Sequence, residues 1–481
     1  MVEVIAPINI ALLKYWGKSD YLNIEPVADS LSLTLNSNQL HSRTQISLSP
    51  GVGQPFLLNG EFQKLYIKST NNFPTAAGLA SSASGFASLA FGLATLYHLE
   101  GDASNCSPLD PSNSVLRGSG SACRSMYGGV VHWKRPAPGS KHASPSVEQL
   151  FPHTHWPELR VLICVTSSQQ KPVSSSEAMR RTVTTSPLFR EARATVVGQR
   201  LPRFIDAFRR RDFAALAELT MRESNELHAF CLDTWPPVIY LNATSFAIMD
   251  FVHALNQHMR RCVAAYTFDA GPNAFLLTLA RDAPLVLALL DKCFGAVAPR
   301  HGGEGLSDYG NNLDNKRARL ETQAGNLEVK GIQYSLEVNL ADHRELLESL
   351  PRCAGSIRYI LSTEIGPGPK YGGRTKNKER REAEFANVMR ADMDSNPSSD
   401  LPTRFHCVRA CFHSCCALLA TSCGFGGWTV LSRSKILANQ QDGMFGKYTE
   451  KHQDKTMVVL VFLQITMIIL GLLDLATPIG T

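Results

Sequence analysis

The chain has 481 residues, 44% hydrophobic and 19% charged, with 34 glycines and 26 prolines. That is apolar enough for a packed core and excludes wholesale disorder or a collagen-like chain; the length predicts two or three domains. The net charge of +6 divides as 34 basic against 32 acidic residues before Lys370 and 14 against 10 from there on, so a nearly neutral body argues against a nucleic-acid-binding core but leaves room for a small basic pocket for an anionic metabolite.

The first residues include Glu3, have no leading basic residue, and are interrupted by Pro7 and Asn9, unlike a secretory leader. Residues 2–10, apolar and β-branched, predict a strand. Residues 31–35 (LSLTL) and 45–48 (QISL) alternate with period two, as half-buried strands do. Asn59-Gly60 is a turn signal, and residues 64–69 predict the next strand. An Ala/Ser/Gly-rich passage, 74–85, leads into a helix on which Leu79, Ala83, Phe86, Ala90, Leu93 and Tyr97 share a face. Residues 102–115 read as a loop and 160–165 as a buried strand. Residues 188–230 read as two helices with Phe204, Ile205 and Phe208 on an apolar stripe. Residues 264–268, 269–273 and 274–279 predict strand, turn and strand, 283–294 a helix, and 357–363 a last strand before Gly366-Pro367-Gly368-Pro369. Strands and helices mix without regular alternation, which favours α+β.

After Lys370 the character changes. Residues 370–384 are strongly charged and 394–403 rich in Ser, Pro and Asp, and five of the 12 cysteines fall between Cys407 and Cys423. Lacking paired C-x2-C spacing, the cysteines read as reduced cytosolic thiols, neither a disulfide scaffold nor a zinc ribbon. Residues 457–473 (MVVLVFLQITMIILGLL) carry no charge and would span ~25 Å as a helix, a little short of the ~30 Å hydrocarbon core. A tail anchor making membrane contact is physically allowed, against a buried apolar run.

The strongest local motif is 74–83, PTAAGLASSA. Small residues admit a phosphate close to the backbone, Gly78 allows unusual dihedrals, and the helix that follows aims free N–H groups at the same point. No Lys follows, so it is not the G-x-x-x-x-G-K-[ST] loop. The competing reading is a small-residue helix packed closely on a neighbour. The order P-x-x-x-G-L-x-S-S-A resembles the ATP motif of the galactokinase, homoserine kinase, mevalonate kinase and phosphomevalonate kinase superfamily. Three further segments narrow the resemblance: 6–11 (APINIA) running into 14–18 (KYWGK), 117–125 (RGSGSACRS) and 266–273 (YTFDAGPN). Together with 71–73, 156–159, 231–233 and Pro236-Pro237 they resemble the diphosphomevalonate decarboxylases, over a span reaching Pro369.

The resemblance implies an α+β, two-domain fold: a ribosomal-protein-S5-like N-terminal domain (1–187), a ferredoxin-like C-terminal domain (188–369) and an unrelated tail (370–481). It implies a cytoplasmic homodimer that uses ATP and Mg2+ to decarboxylate mevalonate 5-diphosphate, with no nucleic-acid partner. Such a substrate has a poor leaving group, its tertiary hydroxyl. Phosphorylation makes it a good one, and loss of phosphate and CO2 forms the double bond. The chemistry needs a carboxylate base, cations for carboxylate and phosphate, and a nucleotide loop. On this resemblance Asp269 is the base, Arg124 the carboxylate clamp, Ser121 a hydroxyl donor and Lys14 a neutralising cation. Asn9, Tyr15, Trp16, Lys18, Ser119 and Ser175 line the substrate, and Pro74, Ala77, Gly78, Leu79, Ala80, Ser81 and Ser82 hold the nucleotide. The metal ligands are left open. A plain kinase of the phosphomevalonate kinase type is the alternative.

The sequence also departs from the family. Residues 58–63 pass almost directly into Lys64, where a helical segment is usual. Asp29 brings a negative charge towards a polyanion site, which should weaken binding. Ala178 replaces a usual Gly, and 300–350 resembles the family poorly. These breaks at segment junctions suggest an alternative splice form or an imperfect gene model; a different class of reading is a catalytically impaired, membrane-tethered relative acting as a binding protein.

Overall fold

The computed structural model describes residues 1–20, 25–48, 54–58, 61–73, 81–96, 119–136, 145–169, 171–295, 327–334 and 338–373. The turn at 59–60, most of the nucleotide loop (74–80), Tyr97, the 102–115 stretch, the cysteine-rich segment and the apolar run 457–473 lie outside them. The chain divides into two compact units, with Val2–Ile46 and Ile67–Gly373 in the larger. In the smaller, β7 (Gln54–Leu58) pairs antiparallel with the first half of β8 (Glu61–Asn71), Leu58 opposite Glu61.

In the larger unit, β1 (Val2–Pro7) lies between β6 (His41–Leu48) and β16 (Lys370–Gly373), antiparallel to both. The sheet thus takes in four residues beyond Pro369. The sequence predicts one strand over 2–10, but the chain changes sheets there. Pro7 ends β1, and Asn9 opens β2 (Asn9–Leu13) in a second sheet. Proline has no N–H to continue a ladder, so a change of partner is least costly there. This sheet runs β10 (Ser146–Phe151), β9 (Val130–Lys134), β5 (Ser30–Thr34), β2, all neighbours antiparallel. A short ribbon joins β3 (Lys18–Asp20) to β4 (Glu25–Pro26).

The third sheet runs β12 (Ala264–Phe268), β13 (Ala274–Leu279), β11 (Leu159–Val165), β15 (Tyr359–Glu364), β14 (Glu328–Gly331), antiparallel except for the last pair. The strand–turn–strand predicted over 264–279 is this β12–β13 hairpin. Part of the poorly matching 300–350 stretch is therefore structural, because it supplies edge strand β14.

Helix α1 (Ser81–Leu96) docks on β6 through two buried hydroxyl pairs, Ser42–Ser84 and Thr44–Ser88, each 2.6 Å between oxygens. A Cβ on Gly92 would stand 2.8 Å from Ile46. The small residues thus serve close packing on β6. After α2 (Ser175–Thr185), the two helices expected over 188–230 are α3 (Pro187–Arg210) and α4 (Phe213–Asp233). Ser186 caps α3 by accepting from the Phe189 N–H, and Asp212 caps α4 by accepting from Ala215. Phe204 and Phe208 are fully buried in the main core. Helices α4 and α5 (Ala243–His258) lie against β12, and α6 (Ala283–Phe294) and α7 (Arg344–Ser349) complete the layer. Among the described residues no helix is long and apolar enough to cross a membrane.

Candidate active site

Lys14 stands just past β2, and Asp269 opens the turn between β12 and β13. The fold brings them together across 255 positions: Lys14 Nζ donates to Asp269 Oδ1 at 2.7 Å. Lys14 is 2% exposed and Asp269 27%, so the carboxylate stays open to an incoming hydroxyl while its partner is enclosed. Burial holds the Lys14 pKa below its ordinary value, opposed by the Asp269 charge. The turn itself is pinned by Asn273, whose Oδ1 accepts from the N–H groups of Thr166 and Ser167 at 2.8 and 3.0 Å.

Arg124, in the 3-10 turn Ala122–Met126, is 4% exposed. Its Nη1 donates to Ser30 Oγ at 2.9 Å and its Nε to Asn9 Oδ1 at 3.4 Å. The guanidinium lies 5.5 Å from the Tyr15 ring centroid and 5.9 Å from that of Trp133. Among the described residues no carboxylate forms an ion pair with it, so a buried cation is held in place by neutral groups. Asn9 also donates to Ser125 Oγ at 2.7 Å and to the Ser121 carbonyl at 3.1 Å, and the Ser119 and Ser121 hydroxyls are 3.2 Å apart. Asn9, Tyr15, Ser119, Ser121 and Arg124 thus form one connected cluster. It is coupled electrostatically to the ion pair, since Arg124 bears on both Lys14 and Asp269.

A Cβ on Gly120 would lie 2.3 Å from Trp133 and 2.9 Å from the Tyr15 hydroxyl. Gly120→Ala is therefore expected to destabilise the protein by about 1–3 kcal/mol through overpacking. Thermal melting checks this, and substrate affinity should fall with it because both rings flank Arg124.

Ser175, at the start of α2, accepts from Lys171 Nζ at 2.6 Å, and Lys171 feels the Asp269 charge. Trp16 is turned elsewhere: its Nε1 donates to Thr182 at 3.1 Å, and its ring packs edge-on to Tyr240 in a separate apolar cluster that includes Ala178. Lys18 lies on β3, with its pKa lowered by burial. Ser81 and Ser82 begin α1, whose first turn holds no acidic residue; Pro74, Ala77, Gly78, Leu79 and Ala80 lie outside the described residues. Asp29 is engaged by β9 and the residue after it: Oδ2 faces His132 Nε2 at 3.2 Å, and Oδ1 accepts from the Arg135 N–H at 2.7 Å. Burial would raise its pKa, but these partners outweigh it and keep the carboxylate ionised.

Sequence reasoning missed the groups behind Lys14. Glu223, fully buried on α4, accepts from the Lys14 N–H at 3.0 Å, while Arg193 of α3 donates to the Lys14 carbonyl at 2.6 Å. Arg193 and Arg200 together neutralise Glu223 and Glu226. Removing one partner would strand a buried charge, at a cost of about 3–5 kcal/mol. The spacing was the available signal: Arg193 and Arg200 seven apart on one helix, and Glu223 and Glu226 three apart on the next, put matching charges on facing stripes. His228, further along α4, is 7% exposed and packs edge-on to Phe268. Burial, then the Lys14 charge, drives its pKa down to about 3 and keeps it neutral.

Residues 6–65 and 59–144 match the family model of the diphosphomevalonate decarboxylase-like N-terminal domain, and 161–372 that of the mevalonate 5-diphosphate decarboxylase C-terminal domain. The N-terminal match falls in two pieces that overlap at 59–65, where the sequence departs from the family. A diphosphomevalonate decarboxylase from Rattus norvegicus is 37% identical over 407 residues, covering 77% of this chain and 93% of its own. The solved mevalonate diphosphate decarboxylase from Trypanosoma brucei aligns with a TM-score of 0.60 and 31% identity, over 79% of this chain and 99% of that one. MDDEF, solved in complex with MVAPP, AMPPCP and magnesium, aligns with a TM-score of 0.53 and 26% identity, over 78% of this chain and 99% of that one.

Proposed function

The chain belongs to the diphosphomevalonate decarboxylase family, and on that footing we propose that it converts mevalonate 5-diphosphate and ATP into isopentenyl diphosphate, ADP, phosphate and CO2. The observation that carries the reading is the Lys14–Asp269 contact beside a buried, carboxylate-free Arg124. Asp269 accepts the proton of the tertiary hydroxyl as phosphoryl transfer proceeds. Lys14 holds that carboxylate in place and offsets negative charge near it. Arg124 binds the substrate carboxylate until the leaving phosphate departs, and the electron pair of the C–CO2 bond then becomes the new double bond. Ser119 and Ser121 donate to the substrate, with Asn9 and Tyr15 holding the loop and the guanidinium.

The start of α1 suits ATP phosphates: hydroxyls at Ser81 and Ser82, no acidic residue in the first turn, and a position set by the β6 contacts. No group of three or more His, Cys, Asp or Glu residues is poised for a metal among the described residues. Mg2+, present in the solved MDDEF complex, would neutralise phosphate charge beside the α1 hydroxyls. The same proposal includes two domains and a cytosolic homodimer; the expected division at 187/188 moves back to before β11, which lies inside the third sheet, and the tail outside the enzyme body begins after Gly373, because β16 pairs with β1. Light scattering tests the dimer.

Release of 14CO2 from carboxyl-labelled substrate tests the reaction; phosphorylation without CO2 would replace it with a kinase. Residues 1–373 assayed beside the full chain show whether the tail matters. The buried Lys14 makes a further prediction. Its pKa lies below the ordinary 10.5, so kcat/KM should fall on the alkaline side before pH reaches that value. Lys14→Arg, which keeps its proton there, should lose this alkaline limb.

A further inference from the structure

We propose that Glu223 and Ser224, adjacent on α4, are positioning residues that set the Lys14–Asp269 contact by each holding the backbone beside one partner. This deepens the decarboxylase reading and rests on it. Glu223 Oε2 accepts from the N–H of Lys14 itself at 3.0 Å, and Ser224 Oγ accepts from the N–H of Phe268, the residue before Asp269, at 2.9 Å. Both acceptors are fully buried.

The topology explains why a helix does this. Strand β2, which leads to Lys14, is an edge of the four-stranded sheet, and β12, which leads to Asp269, is an edge of the five-stranded sheet β12–β13–β11–β15–β14. An edge strand has backbone groups that its own sheet does not pair. Helix α4 touches both strands. Neighbouring positions on a helix point about 100° apart, so two consecutive residues reach two different strands. The helix thereby fixes two sheet edges at the point where their residues meet.

Stability alone is a poor reason for this arrangement. A buried carboxylate that needs Arg193 and Arg200 to neutralise it is often matched or bettered by apolar residues of similar volume. What apolar residues cannot do is hold the Lys14 N–H while Arg193 holds its carbonyl, a grip from both sides of one residue. Further along the helix, His228 closes the Phe268 side as a neutral ring. Lys14 therefore faces Asp269, Glu223, Arg124 and His228. Of these, Asp269 is the partner whose distance the two acceptors set.

The test uses the full chain with Ser224→Ala, Ser224→Thr and Glu223→Gln. Loosening the contact removes part of the Asp269 charge that raises the Lys14 pKa and leaves burial less opposed. Ser224→Ala should therefore move the alkaline limb of the pH–rate profile to lower pH. It should lower kcat about tenfold, with KM for both substrates within about twofold, and Ser224→Thr, which keeps the hydroxyl, should restore most of the rate. Glu223→Gln should act in the same direction; if it does not fold, Ser224→Ala decides alone. Unchanged kcat in folded Ser224→Ala, or a loss that Ser224→Thr shares and that leaves the alkaline limb in place, overturns the proposal. Wild type without CO2 release defeats the decarboxylase reading instead. In that case the Lys14 titration, followed by NMR of labelled lysine side chains, still decides: a lower pKa in Ser224→Ala supports the positioning role and an unchanged one rejects it.

Discussion

Asp269→Asn is expected to lower kcat by about 10³-fold while leaving KM for ATP and for the diphosphate substrate little changed. The amide matches the carboxylate in shape, so the β12–β13 turn, pinned through Asn273, should persist. It cannot take the hydroxyl proton, and it no longer supplies the charge that opposes burial at Lys14. Removing that charge lowers the Lys14 pKa further, so the variant loses the base and weakens the cation beside it. Single-turnover measurement separates the effects, because phosphoryl transfer itself should be slow and no phosphorylated intermediate should accumulate. Residual activity near the wild-type rate would remove Asp269 from the reaction.

Arg124→Lys is expected to lower kcat/KM for the diphosphate substrate by about 10²-fold, with KM for ATP nearly unchanged. The guanidinium spends Nη1 on Ser30 and Nε on Asn9, and lies over Tyr15 and Trp133. A lysine keeps the charge but loses the planar fork that holds a carboxylate at two points. Because Arg124 is buried, truncation to alanine would open a cavity over the packed Tyr15 and Trp133 rings and confuse folding with binding. The lysine variant avoids that. Steady-state kinetics with both substrates varied checks the prediction, and an equal loss for ATP would show that Arg124 acts through the fold.

The order of elements was legible where the rules are local. The hairpin at 264–279 was readable because β-branched and aromatic runs flank a Gly-Pro turn. Helices α3 and α4 were readable because their apolar residues recur at helical spacing, with Phe204 and Phe208 on the buried face. Val130–Lys134 and Ser146–Phe151, which form β9 and β10, are not among the strands the sequence predicts. The single strand read over 2–10 failed for a different reason. Pro7 marks where the first ladder can end, but nothing local says that the residues beyond it join a different sheet.

The site divides in the same way. The motifs single out Lys14, Arg124 and Asp269 as candidates, because short ordered segments around them carry a family pattern. By itself the sequence determined the residue types, the turn that presents Asp269 and the small-residue start of α1, all properties of a few neighbouring positions. Only the tertiary structure decided that Lys14 meets Asp269, that Asp29 is met by His132 and the Arg135 backbone, and that Glu223 and Ser224 hold the two edge strands. The physical reason is separation. A turn or a helix face leaves a periodic trace in the chain, whereas a hydrogen bond between residues 209 positions apart, such as that between Lys14 and Glu223, leaves none.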